Sequence, residues 1–171
     1  MRWFWIDRFE VFDRGQEAVA IKLVTLAEEH LHDHFPGVAL MPNSLVLEGM
    51  AQTAGLLIAD MISFGMQVVL LKVAAADFRF EARPGDCLRY RARPEHVGES
   101  GSIVRVTSSV GDQVQAEAEL AFAHVQAGSG LPWLFREEEM LVWLDNTRIY
   151  HVARDENGVR ITRRSGPGSS R

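Results

Sequence analysis

Three features of the sequence predict an α+β fold, an antiparallel sheet wrapped around one long helix. Residues 44–64 hold an apolar set (Leu45, Val46, Leu47, Met50, Ala51, Ala54, Leu57, Ile58, Met61, Ile62) that covers more than one helical face. Such a helix must be surrounded rather than laid on a surface. Period-two stretches lie on both sides of it. The clearest is 113–125, where Val114, Ala116, Ala118, Leu120 and Phe122 alternate with Gln113, Gln115, Glu117, Glu119 and Ala121. That alternation marks a half-buried strand. Two strands, one helix and then four strands favour an antiparallel sheet that encloses the helix.

Taken in order, residues 3–12 (WFWIDRFEVF) are aromatic and β-branched and read as a strand or extended lead-in. Gly15 makes a turn, and 17–25 reads as the hairpin partner. Residues 26–43 are loop-like, with His30, His32, His34, Pro36, Gly37 and Pro42. The helix is expected to begin after Asn43, whose side-chain oxygen is a good cap acceptor, and to stop at Gly65. Strands follow at 68–80, 86–94, 102–110 and 113–125, with turn signals at Pro84-Gly85 and Gly111-Asp112. These elements make one domain over residues 1–126. Residues 127–171 form an extension: a QAGSG linker from Gln126 to Gly130, a short amphipathic helix over 131–145, a hairpin over 147–163 turning at Asn157-Gly158, and a disordered SGPGSSR end.

Composition excludes several classes. A net charge of −5 argues against a broad nucleic-acid-binding surface. One cysteine, Cys87, rules out an internal disulfide framework and fits a cytoplasmic protein. The apolar stretch from Leu45 to Met66 contains Glu48, Gln52 and Asp60 and lacks a flanking Lys/Arg cluster, so no membrane span is expected. His30, His32, Asp33 and His34 suggest a metal site. No further Cys/His set has ligand spacing, and none is expected. The arginines at 79, 83, 89, 91 and 93 read as a solvated strand face, or in a sharper reading as a docking patch for an acidic partner.

Glu48 carries the most information. A lone carboxylate near the start of an enclosed apolar helix must be paired, neutral or beside water, unless it simply faces solvent. The helix N-terminus favours an anion there. Gln52, one turn on, is placed to bond Glu48 and fix it. His34 stands in the loop that runs into this helix, restrained by Pro36 and Gly37. A histidine and a carboxylate flanking one helix N-terminus are a candidate base and acid.

The motif His34-Phe35-Pro36-Gly37, then Met41-Pro42, then Glu48, resembles the β-hydroxyacyl-(acyl carrier protein) dehydratases of the FabA/FabZ type, a hot-dog fold family. Its pattern is H-F-P-G-x-P-x-M-P-G-x-x-x-x-E, and Glu48 falls fourteen positions after His34, as in that family. Gln52 matches the family's E-A-M-A-Q. Fainter echoes are Ile6-Asp7-Arg8 and Arg83-Pro84-Gly85-Asp86, and the likeness runs over about 3–125. Three positions depart: Asp33 precedes the histidine, Ala39 stands where proline is common, and Asn43 replaces the glycine of M-P-G.

The resemblance implies dehydration of (3R)-3-hydroxyacyl thioesters to trans-2-enoyl thioesters in fatty acid, lipid or polyketide synthesis, without a cofactor. His34 would take the C2 proton. Glu48 would protonate the departing hydroxyl, a role that needs a raised pKa through burial. The Asn43 backbone amide would polarise the thioester carbonyl, Gly37, Phe35, Leu40 and Met41 would bind substrate, and Gln52 would support Glu48. The thioester would be carried by acyl carrier protein or coenzyme A. The resemblance also implies an obligate homodimer with shared sites, assembling in some members as a trimer of dimers. Two other readings stand beside it: a hot-dog thioesterase in which Glu48 activates water, and a non-catalytic acyl-binding subunit.

Overall fold

The computed structural model describes residues 3–126 and 137–162. Residues 1–2, 127–136 and 163–171 lie outside them, and with them most of the expected linker, the start of the tail helix and the terminal segment.

The chain opens with a hairpin of β1 (Arg8–Asp13) and β2 (Glu17–Leu23), turning at Gly15 with φ 76°. A four-residue helix, α1 (His30–Asp33), interrupts the stretch expected to be loop. The long helix α2 (Asn43–Met61) follows. Then come β3 (Gln67–Phe78), β4 (Cys87–Val97), β5 (Gly101–Val110) and β6 (Gln113–Val125). The tail adds α3 (Glu137–Asn146), α4 (Ile149–Val152) and β7 (Ala153–Arg154). The sheet order is β3-β6-β5-β4-β2-β1-β7, antiparallel throughout except for the β1–β7 pair.

The sheet encloses α2 as expected. Val46, Met50, Ala54, Leu57 and Ile58 are fully buried against Leu88, Tyr90, Ala92, Val104, Val106 and Leu120 of the strands. Closest approach is at Gly49. A β-carbon there would meet Tyr90 Cε2 at 2.5 Å and the Trp5 carbonyl oxygen at 2.7 Å. Backbone cannot yield as a side-chain tip can, so Gly49→Ala should push α2 off β4 and cost about 2 kcal/mol. A denaturant midpoint equal to the parent's would show that the contact relaxes freely.

Four expectations are corrected. The helix begins one residue early: Pro42 is the N-cap, Asn43 is the first helical residue, and no side chain caps this end. It also stops before Gly65, because Ser63 and Phe64 adopt φ of 56° and 55° and their N–H groups take the Asp60 and Ala59 carbonyls. Residues 3–5 do not join the ladder, which Asp7 enters through its N–H bond to the Ile21 carbonyl. The Trp5 N–H and Trp3 carbonyl bond the Gln52 side chain instead. In β6 the alternation breaks at Gln115, which is fully buried. The pairing slips there, from Ser108↔Ala116 to Ser109↔Val114, and a bulge of this kind turns one extra residue inward.

The tail is not laid loosely on the domain. Trp143, Leu144, Ile149 and Ala153 belong to the same core, and β7 runs parallel to β1. The expected hairpin forms in small: Arg154 bridges Arg160 across the Asn157-Gly158 turn. At the far end of α2, Asp60 accepts two bonds from Arg14, at 2.6 and 2.8 Å. The pair accounts for a carboxylate on a helix otherwise apolar, and it holds the Arg14 guanidinium in its charged form.

Candidate active site

Two chain segments carry the candidate residues. The first runs from α1 to α2. Phe35 and Val38 exchange backbone bonds at 2.8 and 2.9 Å across Pro36-Gly37, and Gly37 has φ 84°. Proline then glycine with positive φ is the chemistry of a type II turn. The Leu40 N–H bonds the His34 carbonyl, and Met41 bridges Ala82. His34 therefore ends α1 on a closed loop. It is half-buried, and its ring stacks on Phe35 at 4.1 Å between centroids. The His34–Phe35 peptide is cis.

The second segment is the start of α2. The Asn43 N–H has no partner among the described residues, as expected of a first-turn amide. Asn43 itself is exposed. Glu48 lies in the second turn, and its Oε1 accepts a bond from Gln52 Nε2 at 2.9 Å. The support expected of Gln52 is present. The enclosure expected of Glu48 is not: the carboxylate is exposed on this chain, on the side of α2 that the sheet does not cover. No hydrogen bond joins His34 to Glu48 within the chain. Of the other expected substrate contacts, Phe35 is 57% exposed and Leu40 half-buried, whereas Met41 is only 1% exposed and belongs to the core.

A cavity of about 590 Å³ opens beside α1, between Trp3, Phe4, Trp5 and Glu28, Glu29, His30, Asp33. None of Phe35, Leu40 and Met41 lines it. Trp5 meets His30 edge-on at 5.0 Å. Burial pushes the His30 imidazole below its ordinary value, Lys22 and His34 add to this, and Glu28 opposes it. A histidine with a lowered folded pKa binds fewer protons folded than unfolded. Its contribution is present above the unfolded value of 6.5 and fades as pH falls below it. Unfolding free energy should therefore decline from pH 7 to pH 5, and His30→Gln should flatten that slope in denaturant melts. An unchanged slope would assign the acid sensitivity elsewhere.

Among the described residues no group of His, Cys, Asp or Glu forms a metal site, and no helix is long and apolar enough to cross a membrane. The arginine face is largely paired. Arg89 meets Glu10 at 2.8 Å, Arg91 and Arg93 meet Glu17, and Arg79 meets Glu117. Exposed pairs of this kind add little stability, but they offset the charge that a docking patch would need.

A sheet-wrapped helix, with a loop histidine before its N-terminus and a glutamate in its second turn, defines a hot-dog protein equipped for acid–base chemistry. The comparisons narrow the class. A family model described as a FabA-like domain matches residues 4–119. The chain belongs to the FabA-like family. It is 35% identical over 126 residues to a 3-hydroxyacyl-[acyl-carrier-protein] dehydratase FabZ of Caulobacter vibrioides, covering 72% of this chain and 79% of that one. It is 38% identical over 120 residues to the enzyme of the same name from Granulibacter bethesdensis, covering 68% and 70%. The fold also matches a Streptococcus mutans structure, smu.793 bound to acetyl CoA, with TM-score 0.60 and 20% identity over 74% of this chain and 94% of that one.

Proposed function

We infer that the chain is a 3-hydroxyacyl-[acyl-carrier-protein] dehydratase, removing water from a 3-hydroxyacyl thioester in fatty acid biosynthesis. The observation that carries this is family membership together with His34 and Glu48 flanking, along the chain, an Asn43 amide that has no partner among the described residues. His34, on its closed loop, takes the C2 proton as general base. The Asn43 N–H, at the positive end of α2, stabilises charge growing on the thioester oxygen. Glu48 protonates the leaving C3 hydroxyl. Since Oε1 faces the Gln52 N–H, the proton to be given away sits on Oε2. A protonated oxygen would accept that bond only weakly.

The working unit is a homodimer in which His34 of one protomer meets Glu48 of its partner. Three features support this. The two side chains do not bond within one chain, Glu48 is open to solvent, and among the described residues the sheet continues into β7 at one edge while no strand lies beyond β3 at the other. The bare edge is β3, twelve residues long, with Leu70 and Leu71 exposed at 38% and 72%. A long apolar edge strand invites pairing with another chain. The partner would supply the burial that Glu48 needs to act as an acid. Further assembly into a trimer of dimers, and acyl carrier protein rather than coenzyme A as carrier, belong to the same proposal, with the cytoplasm as the site of action.

Purified protein offered a 3-hydroxyacyl thioester and the matching saturated acyl thioester should form the enoyl product from the first and leave the second intact. Release of free thiol from either would favour the thioesterase reading, and tight carrier binding without turnover the non-catalytic one.

A further inference from the structure

The tail after residue 126 lies beyond the FabA-like match, yet its described part reaches the surroundings of Glu48. The connection runs through Gln52. Its Oε1 accepts the Trp5 N–H at 2.9 Å, and its Nε2 donates to the Trp3 carbonyl and to Glu48 Oε1, each at 2.9 Å. Both amide hydrogens are committed. The side chain cannot turn toward or away from Glu48 without breaking a bond to the backbone of residues 3–5. The lie of that backbone therefore sets the carboxylate.

Residues 3–5 precede β1 and have no ladder of their own. What holds them is aromatic packing. Trp5 is buried against His30, and on the other side the half-exposed Phe4 ring sits 5.3 Å from the ring of Trp143 on α3. Trp143 is buried, and its turn of helix is tied to the sheet: Thr147 Oγ1 donates to the Trp143 carbonyl, while the Thr147 carbonyl accepts the Phe9 N–H. Trp143 is thus a fixed wall on one side of a segment whose other fixed point is Gln52.

We propose that Trp143 is a positioning residue for the dehydration, acting through Phe4 and the backbone of residues 3–5 on Gln52, and so on Glu48. The proposal rests on Glu48 being the acid. Without the wall, residues 3–5 regain freedom and Gln52 loses its fixed partners. Glu48 then loses a donated hydrogen bond. The geometry of the carboxyl toward the leaving hydroxyl then loosens.

The test is kcat and KM for Phe4→Ala, Trp143→Ala, Trp143→Phe, Gln52→Ala and the Phe4→Ala/Gln52→Ala double variant, with Glu48→Gln alongside. Phe4→Ala and Trp143→Ala should each lower kcat by about tenfold while KM stays within about twofold, since only the reacting geometry is disturbed. Trp143→Phe should restore most of the turnover. Phe4→Ala should add nothing once Gln52 is alanine, because both act through one path. Parental kcat in Phe4→Ala, or full additivity with Gln52→Ala, would overturn the proposal. If Trp143→Ala does not fold, the Phe4 arm decides, because that side chain is 42% exposed and its loss leaves no buried hole. Turnover persisting in Glu48→Gln would remove the acid assignment and this proposal with it. An inactive Glu48→Gln beside an unaffected Phe4→Ala would remove this proposal alone.

Discussion

Glu48→Gln and His34→Ala should each lower dehydration by about a thousandfold or more, with the fold and the dimer unchanged. Glutamine keeps the size of Glu48 and an oxygen for the Gln52 bond, but it has no acidic proton for the departing hydroxyl. Alanine removes the only group on the loop that can accept the C2 proton. General acid and general base each contribute about 10²–10⁴-fold, and removing either member of a concerted pair costs most of the joint effect. The shared-site arrangement makes a sharper claim. Mixing the two inactive variants under subunit exchange should restore activity, because a mixed dimer has one site carrying both lesions and one carrying neither. With random pairing, recovery should approach about a quarter of the parental rate. Each variant is its own control, and no recovery after exchange would mean that each site is built within one chain.

Leu71→Asp on β3 should be the second largest effect. Leu71 is 72% exposed on the isolated chain, so the substitution costs the monomer little. In a dimer built edge to edge it would place an unpaired carboxylate in an apolar seam. Several kcal/mol of association would be lost, and with it nearly all turnover if, as proposed, each site draws His34 and Glu48 from different protomers. Sedimentation and activity should fall together with protein concentration. A monomeric variant that still turns over, or a dimer that survives the change, would move the interface away from β3. Val159→Asp is a useful contrast. It is also well exposed, at 61%, but lies in the tail hairpin and should alter neither measurement.

The fold was legible because its signals are local. Residues 113–125 alternate cleanly, and that element appears at those bounds. Leu88, Tyr90 and Ala92 face inward with Arg89, Arg91 and Arg93 outward, as their period requires. The motif linking His34 to Glu48 is local as well, and so is the Gln52–Glu48 bond, which follows from a spacing of one helical turn. Illegible were features whose cause lies far along the chain. Residues 3–5 have strand composition, but the backbone of Trp3 and Trp5 finds its partner in Gln52 on α2. Gln115 looks like a solvent-facing strand residue until the pairing slip turns it inward. Asp60 reads as a flaw in an apolar helix until Arg14 meets it. The tight approach at Gly49 depends on Tyr90, forty-one positions away.

By itself, then, the sequence determined the strand and helix order, the enclosed character of α2, and the identity and spacing of the acid–base candidates. The element order and the enclosed helix follow from periodicity and short-range turn chemistry; the acid–base candidates are what the motif's resemblance to the FabA/FabZ type implies. Tertiary structure alone decided what surrounds those groups. Glu48 is exposed rather than enclosed, Gln52 is locked by an N-terminal segment that Trp143 braces, and one sheet edge is closed by β7 while β3 stays open. The reason is physical. Periodicity states which side of an element is apolar, but burial of a single charged group depends on every element that passes it, and that sum exists only once the chain is folded.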